Sequence, residues 1–289
     1  MGHSSKDQLT PRLAVFDIDG TLVDSRGHIP ASTKFALKLL RESGVQLGLA
    51  SGRPAFSAKE IISELKITAP SSFFSGALVI DPVTNQELQA KYLESTEALE
   101  LLELARKQNL YFELYSTTNY FTDCENDYSK MHQQYGLPRP QSIQLEKILQ
   151  QLDTTNLKLI KALSIACNSE ERERLLHYSQ QLSNFSVGIT PGSLHQGVTF
   201  LNITSRKANR SAVFDFILGQ TNLRPEEVIA FGDGLQDLEF ISRAGFGIAL
   251  GNAQEELKQH AWMVTKSVDN DGIFHAVKTI LRNNFNKIV

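Results

Sequence analysis

Three short segments carry the residue types that could do chemistry. The first is Asp17-Ile18-Asp19-Gly20-Thr21. It follows Leu13-Ala14-Val15-Phe16, a run apolar on both faces, which fits a buried parallel strand. Residues two apart on an extended segment point the same way, so two carboxylates are set side by side where a strand ends. Gly20 permits close approach of the backbone. Asp and Gly also make ordinary strand-end turns, so this segment alone leaves turn and site both open. The second segment is Ser51-Gly52-Arg53, closing the apolar run at 45–50. A hydroxyl and exposed N–H groups at a helix N-terminus suit an anion, although Ser is also an ordinary N-cap. The third is Gly232-Asp233-Gly234-Leu235-Gln236-Asp237, after the apolar run Val228-Ile229-Ala230-Phe231. Its two acids lie about one helical turn apart. Acids also favour helix N-termini electrostatically, which is the competing explanation.

Taken together, the three segments suggest one crevice. Asp17, Asp19 and Asp233 would repel one another there and raise one another's pKa. A divalent cation relieves that repulsion, and hard oxygen ligands select magnesium. Such a site attracts a phosphate, and a carboxylate held against it is a plausible nucleophile.

The surrounding pattern predicts the elements that must position these residues. Strand-like runs at 13–16, 45–50 and 73–80 alternate with helical stretches at 31–42 and up to about residue 65. That alternation predicts an α/β fold, a doubly wound, mainly parallel Rossmann-like sheet, whose ligands sit outside the carboxyl ends of the strands. From about residue 83 the texture changes to strands at 87–93, 111–116, 157–167, 185–190 and 198–204, mixed with helices. This predicts an inserted α/β (α+β) cap at 83–205, with residues 1–82 and 206–289 forming the catalytic core. The first texture then returns, with a helix at 209–219, a strand at 228–231 and a strand-like run at 247–250.

Composition narrows the class of partner. The 289-residue chain is 41% hydrophobic and 21% charged with a formal net charge of −3, so neither nucleic acid nor an anionic membrane is an expected partner. Cys124 and Cys167 lack metal-ligand spacing and read as reduced thiols. No apolar run approaches the length of a membrane span, and residues 1–12 are polar. A soluble cytoplasmic protein is expected, a monomer or weak homo-oligomer.

The order strand-DIDGT, strand-SGR, a basic residue, then strand-GDGLQD resembles the haloacid dehalogenase-like hydrolase superfamily, and the position of the insert resembles its Cof-type (type IIB) phosphatases. Gly247-Ile248-Ala249-Leu250-Gly251-Asn252-Ala253 and Asp271-Gly272-Ile273 extend the likeness. The resemblance implies a magnesium-dependent phosphatase acting on small phosphorylated metabolites, sugar phosphates first, through an aspartyl-phosphate. Transfer to a second sugar, as in related mutases, and a silent binding paralogue are the alternatives. The resemblance makes Asp17 the nucleophile and Asp19 the general acid/base. It assigns the phosphate to Ser51, Gly52, Arg210 and Gln236. It assigns Mg2+ to Asp17, the Asp19 backbone carbonyl and Asp233, with Asp237 in support.

Three positions depart from the family pattern. Arg210-Ser211 stands where Lys-Gly is usual, and Lys207, one turn away, competes for the cationic role. Gln236 replaces an Asn, and Ser75-Gly76-Ala77 replaces Asn-Gly-Ala. In the insert, His195 and the aromatics Tyr111, Phe112, Tyr115, Tyr120 and Phe121 either face the substrate or serve as loop and core.

Overall fold

The structure, a computed structural model, describes residues 10–152, 155–192 and 197–285. His195 lies outside the described residues. The chain opens with β1 (Leu13–Phe16), α1 (Ala31–Glu42), β2 (Gln46–Leu49), α2 (Lys59–Leu65), β3 (Ser71–Phe73), β4 (Leu78–Ile80) and β5 (Glu87–Ala90). There follow α3 (Ser95–Lys107), β6 (Tyr111–Tyr115), β7 (Tyr120–Thr122), α4 (Asp127–Met131), β8 (Gln141–Ser142), α5 (Leu145–Gln151), β9 (Lys161–Ala166), α6 (Ser169–Gln180), β10 (Phe185–Pro191) and β11 (Thr199–Ser205). The last stretch holds α7 (Arg210–Thr221), β12 (Val228–Gly232), α8 (Leu238–Arg243), β13 (Phe246–Ala249), α9 (Glu255–His260), β14 (Met263–Val264) and α10 (Gly272–Phe285).

Five of these strands form one parallel sheet in the order β14-β13-β12-β1-β2. Strand alternation explains why β1 reads as apolar throughout. Ala14 and Phe16 face one layer, where α1 and α10 supply Leu37, Leu40, Ala276 and Val277. Leu13 and Val15 face the other, where α7, α8 and α9 supply Val213, Phe214, Ile241 and Leu257. Both faces are covered, as the doubly wound expectation requires. Phe16 and Phe231 stack across β1 and β12 with ring centroids 4.8 Å apart. Each such fully buried ring contributes about 1.5–3 kcal/mol of transfer free energy.

The run at 73–80 does not continue the parallel sheet as one strand. It breaks into β3 and β4, which pair antiparallel, and β5 adds to β4 to make a three-stranded sheet. The cause is local: Phe74, Ser75 and Gly76 all have positive φ (51°, 55° and 96°), which reverses the chain. Hydrophobicity alone does not reveal such a reversal. Residues 87–90 therefore pair on the core side, beyond the division expected at residue 82.

The second large sheet has six strands in the order β10-β11-β9-β6-β7-β8. Leu114, Ala162, Leu201 and Ile203 point to one face and pack with α3, α5 and α6. The opposite face turns toward the parallel sheet and walls a cleft between the two units. No described helix is long and apolar enough to cross a membrane, and both cysteines are free and exposed.

Candidate active site

β1 and β12 are neighbours running the same way, so Asp17 and Asp233 emerge side by side where the strand order switches direction. Carboxylate oxygens of Asp17, Asp233 and Asp237 all lie within 4.8 Å of one another. The turns that hold them are tightly fitted. Gly20 has φ +80°, and a Cβ there would strike the Asp233 carboxylate. A Cβ on Gly232 would come within 2.5 Å of the Asp237 side chain. Thr21 Oγ1 donates to Asp233 Oδ1 at 2.8 Å, and the backbone N–H groups of Asp233 and Gly234 both donate to Asp237 Oδ2 at 3.1 Å. Asn252 ties the two turns together, its Nδ2 donating to the Gly20 carbonyl at 2.9 Å and to Asp233 Oδ2 at 3.4 Å.

The electrostatics follow from crowding like charges in a buried place. The Asp17 carboxyl is pushed well above the usual range, first by burial and then by the charges of Asp237, Asp233 and Asp19; Arg210 opposes the shift. Burial and Asp237 push Asp233 up to about 7, against the Thr21 hydrogen bond. Asp237 is raised by burial, with Arg210 and the two N–H donors pulling the other way. Three crowded oxygen donors with raised affinity for a positive charge suit a hard divalent cation.

Asp19 points elsewhere. Arg53 grips its carboxylate from two nitrogens, Nε at 2.7 Å and Nη2 at 2.6 Å. The side chain of Asp19 is thus not part of the three-carboxylate cluster, although it lines the same cleft. Arg53 stands directly after Ser51-Gly52, and sequence reasoning assigned it no role. Its signal was a guanidinium in the second motif with an unpaired carboxylate in the first.

Ser51 is buried at the end of β2, where its backbone N–H donates to the Ser72 carbonyl at 2.9 Å. Its Oγ accepts the Arg53 backbone N–H at 3.2 Å, which leaves the hydroxyl proton for another partner. α7 starts at Arg210, capped by Asn209 Oδ1, which accepts the N–H of Ser211 at 2.8 Å. Arg210 Nη1 donates to the Gln236 carbonyl at 2.5 Å and to Asp237 Oδ1 at 3.3 Å. Its Nη2 is buried and has no protein partner. Lys207, the rival, is exposed and pairs with Glu94 at 3.9 Å. Gln236 borders the cleft with Ser51, Gly52 and Arg210.

The cleft holds about 670 Å³. The aromatics of the second sheet divide by strand alternation. Phe112 and Phe121 face the helices and are buried there. Tyr111, Tyr115 and Tyr120 are on the opposite face, and of these Tyr115 borders the cleft while Tyr128 stacks over Tyr111 at 4.8 Å.

The family profile described as haloacid dehalogenase-like hydrolase matches residues 14–277, and the chain belongs to that family. The chain is 24% identical over 291 residues to the phosphatase YwpJ of Bacillus subtilis strain 168, covering 93% of this chain and all of that one. It is 24% identical over 287 residues to the 5-amino-6-(5-phospho-D-ribitylamino)uracil phosphatase YwtE of the same organism, covering 93% and 98%. A solved HAD subclass IIB sugar phosphatase superposes with a TM-score of 0.77 at 22% identity, covering 93% of this chain and 98% of that one. The resemblance read from the motifs and the α/β fold class are thus confirmed, and the chain is an enzyme of the phosphatase kind.

Proposed function

We propose that this phosphatase is magnesium-dependent and hydrolyses small phosphorylated metabolites through an aspartyl-phosphate on Asp17. The observation that carries this reading is the three-carboxylate cluster lining one cleft with Ser51 and with Arg210, one of whose nitrogens has no protein partner. Asp17, Asp233 and the Asp19 backbone carbonyl would hold the ion, with Asp237 orienting the set. A bound Mg2+ would supply charge neutralisation of the phosphoryl oxygens. Ser51 Oγ, the Gly52 backbone and the Arg210 guanidinium bind the remaining oxygens, with Gln236 beside them.

Asp17 attacks phosphorus, and the ester bond to the leaving oxygen breaks as Asp19 hands that oxygen a proton. Asp19, now a carboxylate, takes a proton from water, whose oxygen attacks phosphorus and frees Asp17 and inorganic phosphate. Arg53 holds the ionised Asp19 in place at both oxygens and yields one of them when Asp19 carries the proton. Residues 83–205 act as the cap, with 87–90 staying paired to the core. Closure of the cap excludes bulk water from the phosphate. Sugar-like phosphates are the substrate class, in keeping with the ribityl and sugar substrates named for the two relatives above. The free, exposed thiols fit a cytoplasmic location.

The test is a panel of phosphorylated metabolites and an aryl phosphate, run with Mg2+ and again with a chelator. Release of phosphate only with Mg2+, and loss of about 10⁴-fold or more in Asp17→Asn, is the expected result. Metal-independent turnover, or activity retained in Asp17→Asn, would overturn the reading.

A further inference from the structure

The cap wall of the cleft carries an ammonium that the chain leaves largely unanswered. Lys161 opens β9, opposite Tyr115 on one side and Thr204 on the other. Lys161 is 4% exposed, yet no carboxylate among the described residues comes within ion-pair distance of it. Its Nζ has one weak acceptor, the Gly52 carbonyl at 3.4 Å, and lies 5.3 Å from the centre of the Tyr115 ring. An ammonium has three donors, so two have no acceptor from the chain. Gly52 is the residue next to Ser51, so this charge sits at the threshold of the phosphate end.

The nearby negative charge is committed elsewhere. Glu113 is fully buried on β6 and accepts the hydroxyls of Tyr111 at 2.6 Å and Tyr115 at 2.5 Å. His132 covers the same group, its Nδ1 3.2 Å from the Tyr115 hydroxyl and 3.6 Å from Glu113. Since Tyr115 gives its proton to Glu113, its oxygen can only accept from His132 Nδ1–H. That leaves the buried, unpartnered Nε2 of His132 as an acceptor. Burial lowers the Lys161 pKa to about 8, with Glu113 pulling it up, so the amine is mainly cationic at neutral pH. A buried cation without an ion-pair partner is costly unless a ligand supplies one.

We infer that Lys161 is a specificity-determining residue that binds a second anionic group of the substrate, a carboxylate or a second phosphate, close to the phosphate being transferred. The inference rests on the phosphatase reading and names the substrate class within it. A sugar-acid phosphate or a sugar bisphosphate fits this wall better than a neutral sugar phosphate of the same size.

The experiment compares matched pairs with the magnesium-loaded, full-length enzyme: glucose 6-phosphate against 6-phosphogluconate, and fructose 6-phosphate against fructose 1,6-bisphosphate. The acidic member of at least one pair is expected to have a kcat/KM higher by about tenfold or more, the size of one charged hydrogen bond. The pair that shows it tells carboxylate from phosphate. In Lys161→Gln the preference collapses through KM, and in Lys161→Arg, which keeps the charge, most of it returns. No preference in the parent enzyme, or a preference that survives Lys161→Gln, would overturn the inference. If Lys161→Gln fails to fold, Lys161→Met, which keeps the apolar stem and carries no charge, is read in its place. Turnover of an aryl phosphate by the parent enzyme separates the two failures. Its absence defeats the phosphatase reading, and its presence without a preference defeats only the role of Lys161.

Discussion

The core wall of the cleft gathers Asp17, Asp233 and Asp237 at the ends of adjacent parallel strands, each in a turn so close that a Cβ on Gly20 or Gly232 would collide with a carboxylate. The cap wall gathers Tyr111, Glu113, Tyr115 and Lys161 from alternate positions of two paired strands, with His132 laid over them. The first wall crowds carboxylates that Arg210 answers only in part, and the second hides one negative charge and leaves a positive one open. A substrate with a phosphate at one end and an acid beside it meets opposite needs on the two walls. The comparison predicts that changes in the core wall act on every substrate alike, whereas changes in the cap wall discriminate among them.

The largest effect that would break this comparison concerns Arg210. Removing a cation aimed at a phosphoryl group is expected to lower kcat by about 10²–10³-fold in Arg210→Ala, equally across neutral and acidic substrates. Lys207→Ala, which removes an exposed side chain paired with Glu94, is expected to stay within about twofold. Steady-state kinetics of both variants decides between the two cations. A loss at Lys207 comparable to that at Arg210 would reverse the assignment.

A smaller effect should appear in stability. The Asp233 pKa is raised to about 7 in the fold, from 3.8 when unfolded. The folded state therefore holds the proton more tightly, and its stabilising contribution is full below about pH 4 and is lost as pH rises through about 7. The metal-free protein should weaken over that window. Asp233→Asn carries no charge to lose and still accepts from Thr21, giving up only the long bond from Asn252, so in chelator at pH 8 it should exceed the parent by on the order of 2 kcal/mol. At pH 4 the gap should close, and Mg2+ should stabilise the parent far more than the variant. Thermal denaturation at the two pH values measures this; a parent more stable than Asp233→Asn in chelator at pH 8 would show that the carboxylates do not strain the empty site.

What sequence could reveal follows the same division between the walls. Asp17, Asp19, Ser51, Asp233 and Asp237 stand in short segments after apolar runs, so local spacing was enough to single them out as candidates. The doubly wound sheet was legible because β1, β2 and β12 are apolar on both faces. The hairpin of β3 and β4 was not, because it depends on backbone angles at Phe74 and Ser75 that hydrophobicity does not encode. Lys161 and Glu113 lie 48 positions apart and come to one face of the sheet through the pairing of β6 with β9, a register that the residues themselves do not announce. Strand alternation then sorts the cap aromatics: Phe112 to the core, Tyr115 to the cleft.

The smallest of the expected effects tests the cap wall by itself. Tyr115→Phe keeps the ring that Lys161 lies over and the stacking on Tyr120, 5.2 Å between centroids, and removes only the hydroxyl. Glu113 then retains Tyr111 as its donor, and His132 Nδ1 loses its 3.2 Å partner. A buried carboxylate short of one donor should cost about 1–2 kcal/mol of stability in urea denaturation, with the slope unchanged. The same change frees a lone pair of Glu113 to compete for the ammonium of Lys161, so discrimination in favour of acidic substrates should fall while the order of the neutral ones is kept. A cost below about 0.5 kcal/mol would mean that packing alone holds this face and that the tyrosine hydroxyls do not keep Glu113 from Lys161. The two walls would then differ in charge but not in how rigidly each holds it.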